Sequence, residues 1–220
     1  KTITGADGGT LYSVTEDHSA LRFEIMRTDS LGGRQGGSTG QKIDLPELPL
    51  RRADGSPNDA LVAAHAALHG RTVNIVDAYA QEGFDFSGTR AFDQRTGYRS
   101  QSFLTVPMTD HQGELIGVLQ LLNALDPATG KVVAFSNADQ SLTESLASQA
   151  AIALSNRLLI TQLERLFESF VKLINIAIDE KSPYTGGHCE RVPELTMMLA
   201  EAADATTTGP LADFHMSDRD

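Results

Sequence analysis

The chain has no tryptophan, a single cysteine and only 6% aromatic residues. With Cys189 alone, no disulfide can form within the chain, and a reducing, cytoplasmic setting is the expectation. No apolar run reaches the length of about 18 residues that a membrane-spanning helix needs. No charged-then-apolar leader opens the chain either, so no membrane is expected as a partner within this fragment. Basic residues are scarce: 18 Lys and Arg stand against 29 Asp and Glu, a net charge of -11. Such a chain gains nothing from releasing counterions along a phosphate backbone, which argues against nucleic acid as a partner. A small anion held by backbone N–H groups in a local pocket remains compatible with that charge. The first residue is Lys1 rather than methionine, so the chain is read as a piece of a longer protein.

What is present suits one ordinary domain with an extension: 220 residues, 40% of them hydrophobic. Residues 9–15 and 21–27 predict a strand pair around the polar turn 16–19, because LRFEIM alternates apolar and polar. Residues 29–40, DSLGGRQGGSTG, predict a loop. A phosphate cradle at GGRQGG would have to open a helix, and the proline-bearing KIDLPELPL that follows does not suit one. Ser56 and Pro57 predict the cap and first turn of a short helix over 58–68, with Gly70 as its stop. His65 and His69 lie four apart on it, a metal-ligand spacing. With no acidic or cysteine partner assigned to them, they are read as solvated or pocket-wall histidines. Residues 72–75, 102–107 and 115–122 predict further strands, the last two joined by the turn 110–113. Residues 87–95 suit a short helix or an ordered loop.

Ser136-Asn137-Ala138-Asp139 is a capping box that predicts a helix start. No Gly or Pro follows until Pro183. Leu159, Leu163, Leu166, Phe170, Leu173 and Ala177 step 4-3-4-3-4, the spacing of a coiled coil. Upstream the stripe widens to Leu142, Leu146, Ala150, Ala153 and Leu154. The helix is expected to pack first on its own sheet and then on the same helix of a second copy, as a homodimer. The competing reading is burial of the stripe by a following domain. Residues 191–205 predict one more helix.

The segment 77–98 is too polar for a core, yet it carries Phe84, Phe86, Phe92 and Tyr98. Lying over a sheet whose other face holds the helices, it predicts a pocket for a flat polar ring, with hydroxyls reading the ring's edge. Arg90 is the candidate for an anionic group. The alternative is a segment whose aromatics plug the sheet without a ligand.

Residues 70–123 resemble a GAF domain, the small-molecule sensor module of signalling proteins. The resemblance rests on NIVDAYA, DQRTGYRSQSFLTVPM and GELIGVLQLLN, and it is strongest to the GAF domains of cyclic-nucleotide phosphodiesterases and adenylate cyclases. It implies an α+β fold in which a twisted antiparallel sheet with flanking helices leads into a long C-terminal signalling helix. The sensor would cover 1–155 and the dimerising helix 137–181. It also implies a small-molecule ligand, cAMP or cGMP being the candidates, contacted by Thr96, Ser100, Ala63 and Thr10 and by an aromatic at Phe84 or Phe86. Of the family's N-K…F-x-x-x-D-E signature, Asn123, Phe135 and Asp139 match. Ala124 replaces the lysine and Gln140 the glutamate, so the family's Lys–Asp brace cannot form there. No cysteine in the sensor half and no histidine in the covering segment argue against haem, a bilin or a cysteine-based reductase.

KSPYTGGHCERV, residues 181–192, resembles the opening of an HD-GYP domain, the bacterial metal-dependent hydrolase of cyclic di-GMP. Residues 182–220 would be the start of that domain. The resemblance makes His188 a metal ligand in the full-length parent, where a divalent metal pair is expected. Tyr184 replaces the acid found in three-metal members. The His-Asp pair and the Gly-Tyr-Pro motif do not occur in these 220 residues. The fragment by itself is therefore expected to hold no cofactor and to be inactive, since hydrolysis on a metal pair needs several His and Asp ligands. A ligand-free dimerising relay is the other function carried forward.

Overall fold

A computed structural model describes residues 4–181 and 187–217. The chain divides into two compact units, Lys1–Arg157 and Leu158–Asp220.

The first unit is built on an antiparallel sheet with strand order β3-β2-β1-β7-β6-β5. These are β1 (Ala6–Val14), β2 (Ala20–Thr28), β3 (Gly33–Gly36), β5 (Val73–Ile75), β6 (Phe103–Thr109) and β7 (Leu115–Leu125). Two short strands, β4 (Leu48–Pro49) and β8 (Val132–Val133), extend β2 and β7. The long-range step is β1 beside β7, which aligns Thr10 with Gln120 and Tyr12 with Val118. The two-residue period then sorts side chains to opposite faces. Leu104, Val106, Met108 and Leu121 point to one face, where Ala147 and Ala151 of the helix α3 (Asn137–Lys181) cover them. The small alanines let that helix sit close to the sheet. Thr10, Tyr12, Phe103, Val118, Gln120 and Leu122 point the other way.

That second face is covered by α1 (Val62–His69) and α2 (Ser87–Thr96) together. The expectation that helices occupy one face and segment 77–98 alone the other is corrected: α1 shares the face with α2. The reason lies in its composition. Ala63, Ala64 and Ala67 pack against Tyr12, Leu21 and Val118.

Three local expectations also change. Within 29–40, residues 33–36 form β3 against β2 rather than plain loop. Gly36 permits this, since a Cβ there would lie 2.0 Å from the Glu24 carbonyl oxygen. Ser56 does not cap α1. Its hydroxyl donates to Asp54, and Asn58 is pinned outside the helix by its N–H to the Leu50 carbonyl and its Nδ2 to the Pro49 carbonyl, 2.9 and 2.8 Å. The helix therefore starts at Val62 and stops at Gly70 in the left-handed conformation (φ 60°). Residues 87–96 are a helix, α2.

The capping box forms as read. Ser136 Oγ accepts from the Asp139 N–H at 3.1 Å, and Asp139 Oδ2 accepts from the Ser136 N–H at 3.0 Å. In the second unit the continuing α3 exposes Leu159, Leu163, Leu166, Phe170 and Leu173, each more than half accessible. A further helix, α4 (His188–Asp204), begins three residues earlier than expected. Tyr184 and the side chains of His188 and Cys189 lie outside the described residues. Among the described residues, no helix is long and apolar enough to cross a membrane.

Candidate ligand-binding site

Between the sheet and α1/α2 lies a cavity of about 540 Å³, within the range that holds small organic ligands. Its floor is polar. Thr10, Tyr12 and Gln120 supply it, with Thr10 opposite Gln120 across β1 and β7 and the fully buried Thr105 beside Gln120 on β6. Gln120 Nε2 donates to Thr105 Oγ1 at 3.0 Å, and the Tyr12 hydroxyl donates to Gln120 Oε1 at 3.3 Å. Burial raises the Tyr12 phenol well above its ordinary pKa, so it stays a neutral donor. The walls are apolar: Phe23, Phe86, Phe103, Leu61, Val62 and Ala63 among them.

The roof is α2. Its residues Gly88, Ala91, Phe92 and Arg95 recur at helical spacing along the cavity. Ser87, Gly88 and Thr89 form its first turn, where N–H groups have no intrahelical partner and the helix dipole favours an anion. Asp85 Oδ1 takes the Ser87 N–H at 2.8 Å, and the hydrogen bonds from Ser87 hold the Asp85 carboxyl below the usual range. Arg27 and Arg95 add positive charge to the lining. Arg95 also stands over the Phe92 ring, 5.8 Å from its centre.

Of the residues expected to bind ligand, Thr10, Ala63, Phe86, Phe92, Tyr98 and Ser100 line this cavity, while Phe84, Arg90 and Thr96 do not. Phe86 rather than Phe84 is the lining aromatic. Phe84 makes a T-shaped contact with His65, ring centres 5.3 Å apart. Arg90 is out of phase with the lining face and stands over Tyr79 at 5.4 Å. Thr96 Oγ1 donates to the Phe92 carbonyl at 2.8 Å, closing the helix end.

Two of the lining residues are also committed to holding the roof down. Ser100 donates both its N–H and its hydroxyl to the buried Asp93, each at 2.8 Å, and Asp93 takes a third hydrogen bond from Tyr79 at 2.7 Å. Tyr98 donates to Asp7 at 2.6 Å. Asn123, with φ 52°, binds the segment on either side of Ser100: Oδ1 accepts from the Gln101 N–H and Nδ2 donates to the Arg99 carbonyl, both at 2.7 Å. The signature positions 124, 139 and 140 serve other ends. Ala124 is in the core, Asp139 caps α3, and Gln140 accepts from Asn74.

Sequence reasoning missed Arg95, Gln120, Tyr12 and Arg27. Gln120 left a signal, as a polar residue on the apolar face of GVLQLLN. Arg95 left another, one helical turn beyond Phe92.

The GAF domain family model matches residues 1–154. The chain belongs to the GAF domain family. Over 118 residues it is 30% identical to the dual 3',5'-cyclic-AMP and -GMP phosphodiesterase 11A of Takifugu rubripes, covering 54% of this chain and 12% of that protein. Over 174 residues it is 29% identical to the dual 3',5'-cyclic-AMP and -GMP phosphodiesterase 11 of Drosophila melanogaster, covering 71% of this chain and 11% of that protein. The chain thus spans only a small part of the length of these curated relatives. Among solved structures it is similar to the GAF domain of an Acinetobacter phosphoenolpyruvate-protein phosphotransferase, with TM-score 0.45, 18% identity, and coverage of 71% of this chain and 77% of that one. The GAF domain of a Bacillus halodurans two-component sensor histidine kinase gives TM-score 0.46, 14% identity, and coverage of 71% and 86%.

Proposed function

We propose that this GAF domain is a regulatory sensor that binds a cyclic mononucleotide, cAMP or cGMP, in the cavity under α2. The observation that carries the reading is the cavity's layout. A polar floor at Thr10 and Gln120 would read a base edge, Phe86 and Phe103, packed on each other with ring centres 5.4 Å apart, would form one apolar wall beside the ring, and the first turn of α2 with Arg95 would take the cyclic phosphate. The likeness to GAF-bearing phosphodiesterases supports it. Ala124 and Gln140 are no obstacle, because Asp93, Tyr98 and Asn123 hold the roof without a Lys–Asp pair.

In the same reading, α3 of two copies pairs along Leu159, Leu163, Leu166, Phe170 and Leu173 and relays occupancy. A ligand can do so only by binding one helix arrangement better than the other. The output is an HD-GYP-type phosphodiesterase for cyclic di-GMP, with His188 among the ligands of its divalent metal pair. That part rests on the YTGGHCERV motif.

The test is thermal unfolding of the 220-residue chain with cAMP, cGMP or cyclic di-GMP. At 100 times the dissociation constant a ligand stabilises by about 2.7 kcal/mol. A shift with one cyclic mononucleotide that Arg95→Ala abolishes supports the reading. No shift with any of them returns the domain to a ligand-free dimerising relay.

A further inference from the structure

Outside the cavity, the same covering layer gathers a second chemistry. His65 and His69 stand one turn apart on α1, ring centres 4.4 Å apart. Asp59, which precedes the helix, reaches between them. Its Oδ1 lies 3.0 Å from His65 Nδ1 and 2.7 Å from His69 Nε2. This corrects the reading that the two histidines lack an acidic partner. The acid is six residues before His65, brought back because the chain at Asn58 is pinned to Leu50 and Pro49 before α1 begins.

We propose that Asp59, His65 and His69 bind a divalent transition-metal ion of the zinc class. The three ligand atoms lie within 4.8 Å of one another. Bonds of about 2.0–2.2 Å to a tetrahedral ion set neighbouring ligand atoms about 3.3–3.5 Å apart, so Asp59 Oδ1 would draw back from both nitrogens while the two imidazoles adjust around the ion. All three side chains are accessible, 31% for His65 and 45% for each of the others, which lets an ion in and the rotamers adjust. Two imidazoles and one carboxylate suit zinc, nickel or copper. Calcium or magnesium would need a shell of six or more oxygens, which one carboxylate does not provide. Three protein ligands leave a fourth position for water. A T-shaped contact with Phe84, ring centres 5.3 Å apart, orients the His65 ring. The site also has a structural consequence. An ion there staples residue 59 to α1, and Leu61, Val62 and Ala63 between them line the ligand cavity.

The test is calorimetric titration of the chelator-treated 220-residue chain with Zn²⁺, repeated with Co²⁺ to read its visible absorption. His188→Ala combined with Cys189→Ser serves as the common background, since those residues could also hold metal. One ion per chain is expected, with affinity lowered at least tenfold by His65→Ala or His69→Ala and about 10- to 100-fold by the near-isosteric Asp59→Asn. Zn²⁺ should raise the melting temperature of the background protein and not that of the His69→Ala variant. Stoichiometry and affinity unchanged in the two histidine variants, or no binding in the background protein, would overturn the proposal.

Discussion

Tyr98 and Asp7 lie 91 positions apart and meet through a hydrogen bond of 2.6 Å from the phenol to Asp7 Oδ2. The same carboxylate accepts from the Ser30 N–H at 3.1 Å and from the Ser30 hydroxyl at 2.6 Å. One buried acid at the start of β1 thus ties together Tyr98, two residues past α2, and the turn after β2. Burial, then Asp7, raise the Tyr98 phenol above its ordinary pKa of about 10. A group whose folded pKa is raised contributes stability that is full below the unfolded value and lost as pH climbs through the folded one. Chemical denaturation should therefore show stability falling above about pH 10. Tyr98→Phe should flatten part of that fall and cost about 1–2 kcal/mol at neutral pH. Tyr12, raised by burial, keeps the remainder. An alkaline slope identical in wild type and variant would refute the assignment.

Asp93 is the second anchor. It is 4% exposed and accepts three hydrogen bonds, two from Ser100 and one from Tyr79. Asp93→Ala strands those donors, each at about 1–3 kcal/mol when buried. The variant should lose several degrees of melting temperature and become sensitive to limited proteolysis between residues 77 and 100. A cleavage pattern matching wild type would show that α2 is held by its apolar face alone.

Gly117 faces the Tyr12 carbonyl so closely that a Cβ would stand 2.1 Å from the oxygen. That atom is backbone in a paired strand and cannot swing away. Gly117→Ala should force β1 and β7 apart beside the cavity floor and cost more than the about 1–3 kcal/mol of ordinary overpacking. Equilibrium unfolding in urea reads this directly. A loss below 1 kcal/mol would mean that the strand pair yields without strain.

The second half of α3 exposes a continuous apolar stripe, the kind of surface that marks an interaction site. Leu163 and Phe170, 66% and 57% exposed, stand seven residues apart along it. If two copies pair there, Leu163→Glu with Phe170→Glu should halve the mass measured by light scattering while leaving the melting of the sheet unit in place. A mass unaffected by both changes would assign the stripe to another partner.

Several elements were legible because their cause is local. Alternation in LRFEIM and GVLQLLN marks β2 and β7, since a strand's two faces see different media over consecutive residues. The capping box marks the start of α3 because both of its hydrogen bonds close within four residues. The quoted motifs carried the family. Boundaries failed where a distant partner decided: β3 exists only because β2 offers an edge, and α1 starts late because Asn58 bonds to Leu50.

The sequence by itself determined an acidic chain with alternating strands and one very long helix, because period, capping and composition act over a few neighbouring residues, while its GAF-like motifs implied the α+β fold. Tertiary structure alone decided which side chains share the cavity. Helical phase turned Arg95 in and Arg90 out. Sheet register set Thr10 beside Gln120. A pinned turn laid Asp59 between two histidines. Each depends on bringing together residues that local patterning leaves independent, through contacts whose partners are set only once the chain is folded.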